Sequence, residues 1–317
     1  MRKSKNVVVI GGGHGQSQIC RGIKNIEDID ISAIVTVADD GGSTGRLRRQ
    51  FHIPAMGDIR NVMIALAGNE SLMTDLMNYR FEDEDGSEQD IAGHNLGNLI
   101  LTAMTDECGS FMEAIQRVQK VLNERGRIIP STTQVISLYA LMEDDVVVKG
   151  EANIPDRNNH IRKVFYIEPV KATEEAVQAV LDADLIIYGI GSVYTSILPN
   201  VIIDDMKKAL QESHGEKVYF CNAMTQPGET DGYCMEDHVQ ALLDHGAPVD
   251  KVVMASDKVP DLTLDRYEMQ GSAPVMIRDS IHPYEIRKES LLTFENDLIR
   301  HDAYKIELAV RSLLEEL

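Results

Sequence analysis

The chain has 317 residues, 43% hydrophobic and 26% charged, which supports one large domain or two modest ones and excludes a repeat or low-complexity protein. A net charge of −20 argues against nucleic acid or anionic membrane as a partner, and no apolar run reaches the roughly 18–20 residues that span a bilayer. Cys20, Cys108, Cys221 and Cys234 form no CxxC pair, so they read as reduced thiols of a cytoplasmic protein and give no metal signature.

The basic start followed by VVVI resembles a signal peptide only superficially, because residues 7–10 are too short an apolar region and run straight into glycines. They predict a first strand. GGGHGQ at 11–16 follows, then a helix to about residue 24, then a second apolar run at 31–37 that ends at Asp39-Asp40. This β–loop–α–β start, with near-continuous hydrophobic strands, signals a parallel sheet covered on both faces. Helical patterns come in succession at 58–67, 72–79, 94–105 and 111–122, with the acidic stretch FEDEDGSEQD at 81–90 expected as a solvated loop. Residues 137–141, 146–149 and 163–167 predict a small antiparallel group. The alternation then returns, with helices at 173–181, 199–212 and 237–245 and buried strands at 185–188, 217–221 and 252–254. The expected fold is therefore a Rossmann-like, doubly wound α/β sheet, one domain over 1–317 with a helical and small β insertion at about 54–168. The last helix, 302–317, aligns Ile306, Ala309, Val310, Leu313 and Leu314 on one face, to pack on the core or on the second subunit of a homodimer.

Candidate chemistry gathers in loops that follow strands, where open α/β sheets bind ligands. Gly11, Gly12, Gly13 and Gly15 let the backbone turn tightly and approach a ligand, while His14 and Gln16 open a helix whose free N–H groups suit a phosphate. The spacing is not a strict GxGxxG. In ADDGGSTGRLRRQ at 38–50, Asp39 and Asp40 precede Gly41, Gly42, Ser43 and Thr44, and Arg46, Arg48 and Arg49 offer forked donors to an anion. An Asp cap and a solvated basic helix start is the structural alternative for that segment. PAMGDIRNVMIALAG at 54–68 places Asp58 as a helix N-cap with Arg60 and Asn61 in the first turn. Asp40 and Asp58 together also suit a hard divalent cation such as Mg2+ or Ca2+. GHNLGNLIL at 93–101 crowds His94, Asn95 and Asn98 at the start of an apolar helix, as ligand groups or as a cap and a structural histidine. GIGSVYTSILPN at 189–200 offers Gly191, Ser192 and Thr195 to a phosphate, and CNAMTQPGET at 221–230 offers Asn222, Thr225 and Gln226 to a base or sugar edge. No Walker lysine, zinc spacing or Ser–His–Asp order is present, and no nucleophile is identified.

The segments IGGGHGQ, DDGGSTGRLR, GDIRNVMIALA, GHNLGNLIL, GSVYTSILPN and CNAMTQPGET together resemble the gluconeogenesis-factor (YvcK-like) family, relatives of the CofD 2-phospho-lactate transferases. The resemblance implies a cytoplasmic bacterial protein required for cell shape and for growth on gluconeogenic carbon sources. It also implies binding of a UDP-sugar, chiefly UDP-N-acetylglucosamine, without an established reaction. It assigns the positions of Asp40 and Asp58 to a metal and substrate site in the transferase relatives, and LIRHD at 298–302 points to Arg300 as a UDP-sugar contact. Three departures matter. Gly-Gly-Ser-Thr-Gly follows the paired aspartates, which speaks against a deazaflavin-intermediate acceptor. His14 stands where the family more usually has Thr or Ser. Ala303 stands where relatives can carry a phospho-acceptor threonine. The expectation is a regulatory metabolite-binding protein that answers to a protein partner. The alternative is a metal-dependent CofD-like transferase in which Arg46 or Arg60 stabilises developing charge. An NAD-dependent dehydrogenase rests on the glycine loop alone.

Overall fold

The computed structural model describes residues 4–68, 72–82, 91–157, 159–278 and 281–317. Strands β1 (Lys5–Gly11) and β2 (Ile29–Val35) pair in parallel across helix α1 (Gly13–Ile23). Both strands are buried over consecutive residues at their carboxyl ends, as a sheet covered on both faces requires. Helices α2 (Gly42–Phe51), α3 (Gly57–Leu66), α4 (Leu72–Asn78), α5 (Leu96–Cys108) and α6 (Phe111–Leu122) follow, and the chain re-enters the sheet beside β2 as β3 (Arg127–Pro130). A separate antiparallel sheet then forms from β4 (Tyr139–Met142), β5 (Val147–Lys149) and β6 (Ile161–Phe165), in the order β5-β4-β6.

Helix α7 (Glu174–Leu181) leads to β7 (Leu185–Gly189), which pairs with β1 on the side opposite β2. A π-type turn at Val193–Ile197 runs into α8 (Leu198–Val201), then α9 (Asp204–Glu212), β8 (Glu216–Phe220), α10 (Met235–Asp244), β9 (Lys251–Ala255), α11 (Asp261–Met269) and β10 (Glu285–Glu289). The hairpin β11 (Leu292–Glu295) and β12 (Leu298–His301) precedes the last helix, α12 (Ala303–Glu316). The central sheet is seven-stranded, β10-β9-β8-β7-β1-β2-β3, with every pairing parallel. Strand order reverses between β1 and β7, so a crevice opens beyond their carboxyl ends, at the switch point where doubly wound sheets bind ligands. The Rossmann-like α/β expectation holds.

Beyond α11 and the β11–β12 hairpin, which the sequence reading did not name, three elements differ from it, each for a physical reason. Strand β3 brings residues 127–130 into the central sheet from within the 54–168 stretch, and its four residues RIIP carry too short an apolar signal to stand out. Strand β10 reads EIRKE because it is the sheet's edge, where charged side chains remain solvated and discourage edge-to-edge pairing. The predicted helix at 199–212 is two helices, α8 and α9, entered through the π-type turn. Residues 83–90 of the predicted acidic loop lie outside the described residues. Helix α12 buries Ile306, Ala309, Val310 and Leu313 and packs along α1 of its own chain. Its end is fastened by Glu316, which accepts from Lys251 Nζ at 2.9 Å and from Arg287. No helix among the described residues is long and apolar enough to cross a membrane.

Candidate functional site

Four helices begin at the carboxyl edge of the sheet with their N-termini turned on one another. A methyl group at Gly12, just before α1, would lie 2.5 Å from Oδ2 of Asp58 in the first turn of α3. One at Gly57, which opens α3, would lie 2.7 Å from Oγ1 of Thr44 in the first turn of α2. Asn98, in the first turn of α5, directs Nδ2 at Ser43 Oγ (3.4 Å) and Thr44 Oγ1 (3.5 Å). Helix N-termini present unpaired N–H groups and partial positive charge. Their convergence gives a chain of net charge −20 a local anion-attracting centre.

Polar side chains lock these helix starts together. Ser43 Oγ accepts from the Asn95 N–H (3.4 Å) and from Asn98 Nδ2, so its own proton points to Nδ1 of His94, 2.9 Å away. That bond places the His94 ring proton on Nε2, and burial followed by the charges of Arg46 and Arg80 holds the ring's pKa below its ordinary value. Asn95 is the N-cap of α5, accepting from the Asn98 N–H at 3.3 Å. Arg46 donates to the Ala92 carbonyl at 2.7 Å. Arg48 turns inward to the carbonyls of Ala38 (3.2 Å), Asp39 (2.7 Å) and Ile136, and so fixes the end of the β2 loop.

Asp58 is not a cap. Helix α3 begins one residue earlier, and the Asp58 carboxylate accepts from the Gly13 N–H at the start of α1. Burial and the charge of Asp39 push Asp58 up to about 7, against the Gly13 N–H and Arg60. Asp39 is raised as well, by burial above all, although Gly41 N–H (2.9 Å) and the Thr44 hydroxyl bond to it. Asp40 looks elsewhere: its Oδ1 accepts from the Ala152 N–H at 3.1 Å. The carboxylate whose charge bears most on Asp58 is therefore Asp39, while Asp40 turns to the Glu151–Asn153 turn. Glu151, on the short turn Glu151–Asn153, looks onto the same space, and burial with the charges of Asp39 and Asp58 pushes it up to about 8. Among the described residues no three His, Cys, Asp or Glu side chains are grouped to hold a metal by themselves.

Within reach of these acids lies Arg60, 9% exposed. Its Nη2 donates to Asn61 Oδ1 at 2.6 Å, while the buried Nε and Nη1 find no acceptor among the described residues. Burial, then the charge of Arg80, lowers its pKa, but a guanidinium remains protonated at any working pH. Asn98 Oδ1 is likewise buried without a donor.

The loops after β7 and β8 close the other side. Ser192 Oγ accepts from the Thr195 N–H at 2.9 Å and donates to Glu229, a 5%-exposed carboxylate that Thr195 Oγ1 also approaches at 3.4 Å. Asn222 exchanges two bonds with Gly191, N–H to Oδ1 at 3.3 Å and Nδ2 to the carbonyl at 2.9 Å, and donates to Gln226 Oε1 at 3.1 Å. Thr225 pairs its hydroxyl and its N–H with the backbone of Ala273. Gln16 is fully buried and donates from Nε2 to Val9 (2.9 Å) and Ile34 (2.8 Å), bracing β1 against β2. Gln16, Asn222 and Thr225 thus spend their hydrogen bonds on holding the loops. His14 and Arg300 stand exposed on the rim, and partial desolvation of the His14 ring, then the charges of Arg60 and Arg300, holds it below its ordinary value. Glu151 and Glu229 escaped the sequence reading, since each is a lone acid in a loop with no spacing rule to mark it.

Close packing sets the position of the glycine loop. A methyl at Gly15 would lie 1.8 Å from the carbonyl oxygen of Ile190. Gly15→Ala is expected to lower stability by about 3 kcal/mol, measured by urea denaturation, because backbone must move on both sides of the switch point.

The fold recurs in known proteins. The family model described as 2-phospho-L-lactate transferase CofD matches residues 7–299. The chain belongs to the CofD family. Among CofD-family relatives it is similar to the gluconeogenesis factor of Bacillus subtilis (strain 168), at 42% identity over the whole of both chains. It is also 42% identical to the gluconeogenesis factor of Listeria innocua, covering 97% of this chain and 95% of the relative. A crystal structure of a protein from Bacillus halodurans matches with a TM-score of 0.92 and 40% identity, covering 98% of this chain and all of that one. The family resemblance read from the six motifs is borne out. The CofD match ends one residue before Arg300, so that arginine and α12 lie beyond the shared family core.

Proposed function

We propose that the crevice binds a nucleotide-sugar of the UDP-N-acetylglucosamine type, and that the protein acts as a regulatory metabolite-binding factor rather than through turnover. The observation that carries this reading is Arg60, a buried guanidinium with two unpaired donors where four helix N-termini meet. Buried donors without acceptors are costly, and a polyanion such as a diphosphate satisfies them. The start of α1 beyond Gly13, whose own N–H is held by Asp58, turns its positive end toward the same anion. Arg300 beside His14 supplies a rim charge. The relatives are named as factors, which favours binding without turnover.

Asp39 and Asp58 fit a hard divalent cation. They are facing oxygen donors whose mutual repulsion a cation would relieve, and Mg2+ typically takes one or two carboxylates and completes its shell with phosphate and water. Such an ion would neutralise charge between the acids and the diphosphate. The same pair supports a second reading, a CofD-like transferase, because a carboxyl near pH 7 can exchange a proton under working conditions.

Calorimetric titration with UDP-N-acetylglucosamine, with and without Mg2+ and against NAD, separates these readings. Micromolar binding is expected, weakened at least about tenfold by Arg300→Glu, with the nucleotide-sugar recovered intact. Cation-dependent consumption of the ligand would select the transferase. Absence of binding would sink the nucleotide-sugar reading, and tight NAD binding would replace it.

A further inference from the structure

The outer face of the small β5-β4-β6 sheet has a composition unlike the rest of this acidic molecule. The strand register sets Lys149, Tyr139 and Phe165 in one row across the strands and Val147, Leu141 and Lys163 in the next. Opposed residues and residues two apart share a face, so all six project together, while Ala140 and Val164 are buried on the other side. The rings of Tyr139 and Phe165 stack with centroids 5.8 Å apart and planes at 28°. Lys149 Nζ lies 5.8 Å from the Tyr139 ring centre, and Lys163 Nζ lies 5.7 Å from that of Phe165. Val147 is 52% exposed, and the face continues past β6 to Ile167, 64% exposed. A cavity of 190 Å3 opens beside Tyr139, Lys149, Tyr166 and Ile167, with room for an inserted side chain.

Charge on this face is uncommitted. Two of the three acids of the β4–β5 turn are already paired, Asp144 with Arg157 and Asp145 with Arg162, each at 2.7 Å, while Glu143 and Glu168, the latter lining the same cavity as Lys149, lie beyond ion-pair distance of either lysine. Lys149 and Lys163 form no ion pair with any described carboxylate. An antiparallel sheet with one solvated face ordinarily turns polar residues outward. A stacked aromatic pair flanked by two free cations instead has the make-up of an interface centre.

We infer that this face is a docking surface for an acidic segment of a partner polypeptide, its carboxylates meeting Lys149 and Lys163 and its apolar side chains covering Tyr139, Leu141 and Phe165. Charge complementarity selects the acidic occupant. Single-stranded nucleic acid also uses lysines and aromatic platforms, but it brings one charge per nucleotide against a chain of net charge −20 and has no aliphatic side chain to cover Leu141 and Val147. A second copy of this chain brings its whole net charge of −20 to the contact, where an acidic segment brings only the few carboxylates that meet the lysines. The surface does not depend on what the crevice binds, although β5 continues through Gly150 to Ala152, whose N–H holds Asp40.

Fluorescence anisotropy of the full chain provides the test, using a labelled soluble peptide of alternating glutamate and leucine with one central phenylalanine. The comparison probes are its lysine-for-glutamate counterpart and an oligothymidylate. Binding of the acidic peptide alone is expected, weakened at least about tenfold in the double variant Lys149→Glu, Lys163→Glu and also in Tyr139→Ser. Thermal unfolding of the lysine variant, which disturbs no buried group, is expected to match the parent. The proposal is overturned if the acidic peptide does not bind, if lysine reversal leaves its affinity unchanged, or if the oligothymidylate binds in its place. Concentration-dependent dimerisation that the lysine reversal abolishes would assign the face to a second copy and overturn it too. Neither lysine touches the crevice, so UDP-sugar titration of the same variant reports separately on the ligand site.

Discussion

Arg60→Met is expected to raise the unfolding midpoint of the ligand-free protein and, in the same molecule, to weaken nucleotide-sugar binding by about 30-fold or more. The two effects share a cause. In the free protein Nε and Nη1 are buried without acceptors, and each such group costs about 1–3 kcal/mol. Methionine matches the unbranched stem and fills the space with apolar atoms, a replacement that often stabilises where a buried charge is incompletely paired. Ligand binding would recover those hydrogen bonds, and charge-assisted bonds to a phosphate contribute about 2–3 kcal/mol, or roughly 30- to 150-fold in affinity. Three interactions oppose the gain: the bond from Nη2 to Asn61, the attraction of Arg60 for Asp39 and its attraction for Asp58. The last counts least at pH 6, below the pKa of about 7 at Asp58, so the midpoints are best compared there. A lower midpoint with unchanged ligand affinity would make Arg60 a structural ion-pair partner and sink the anion reading.

Asp58→Asn is expected to gain stability over the parent as pH rises, by about 2–4 kcal/mol between pH 4 and pH 8 in urea denaturation. The folded carboxyl titrates at about 7 instead of 3.8, so across that window the folded state keeps a proton that the unfolded chain has released. The corresponding stability is fully present below about pH 4 and is lost as pH rises through about 7. Asparagine keeps a neutral group of the same shape and does not pay that desolvation cost. Mg2+ at pH 8 is expected to stabilise the parent and not the variant, because the ion would replace the proton between Asp39 and Asp58. Parallel stability–pH curves for the two proteins would show that Asp58 is not held near neutrality.

The loops that line the crevice were legible in the sequence where residue type and position act locally. Glycines after a buried strand mark a turn, and the loops at Gly11, Asp39, Gly189 and Cys221 all fall at one edge because every strand of the central sheet runs parallel. Ser43, His94, Asn95 and Asn98 were visible as polar groups at helix starts, and the structure joins them through one serine hydroxyl. Direction was not legible. Gln16 and Thr225 have the same donors and acceptors whether they face a ligand or a neighbouring strand, and here they brace the fold. The hairpin carrying Arg300 turns on Asn296 and Asp297, both at positive φ (52° and 58°), a primed turn whose flanking strands are too short to register as apolar runs.

The order of apolar runs and glycine loops determined by itself the fold class and the sheet edge at which the polar loops gather, since strand burial and turn geometry follow from residue type over a few neighbours. Only the tertiary structure decided that the charge of Asp39 bears on Asp58 while Asp40 turns to Ala152, that Glu151 and Glu229 join the crevice, and that Nε and Nη1 of Arg60 are left without acceptors. Those outcomes depend on α1, α2, α3 and α5 meeting at their N-termini. Burial and side-chain direction are set there by segments as distant in sequence as Gly12 and Asn98, through contacts that no local pattern encodes.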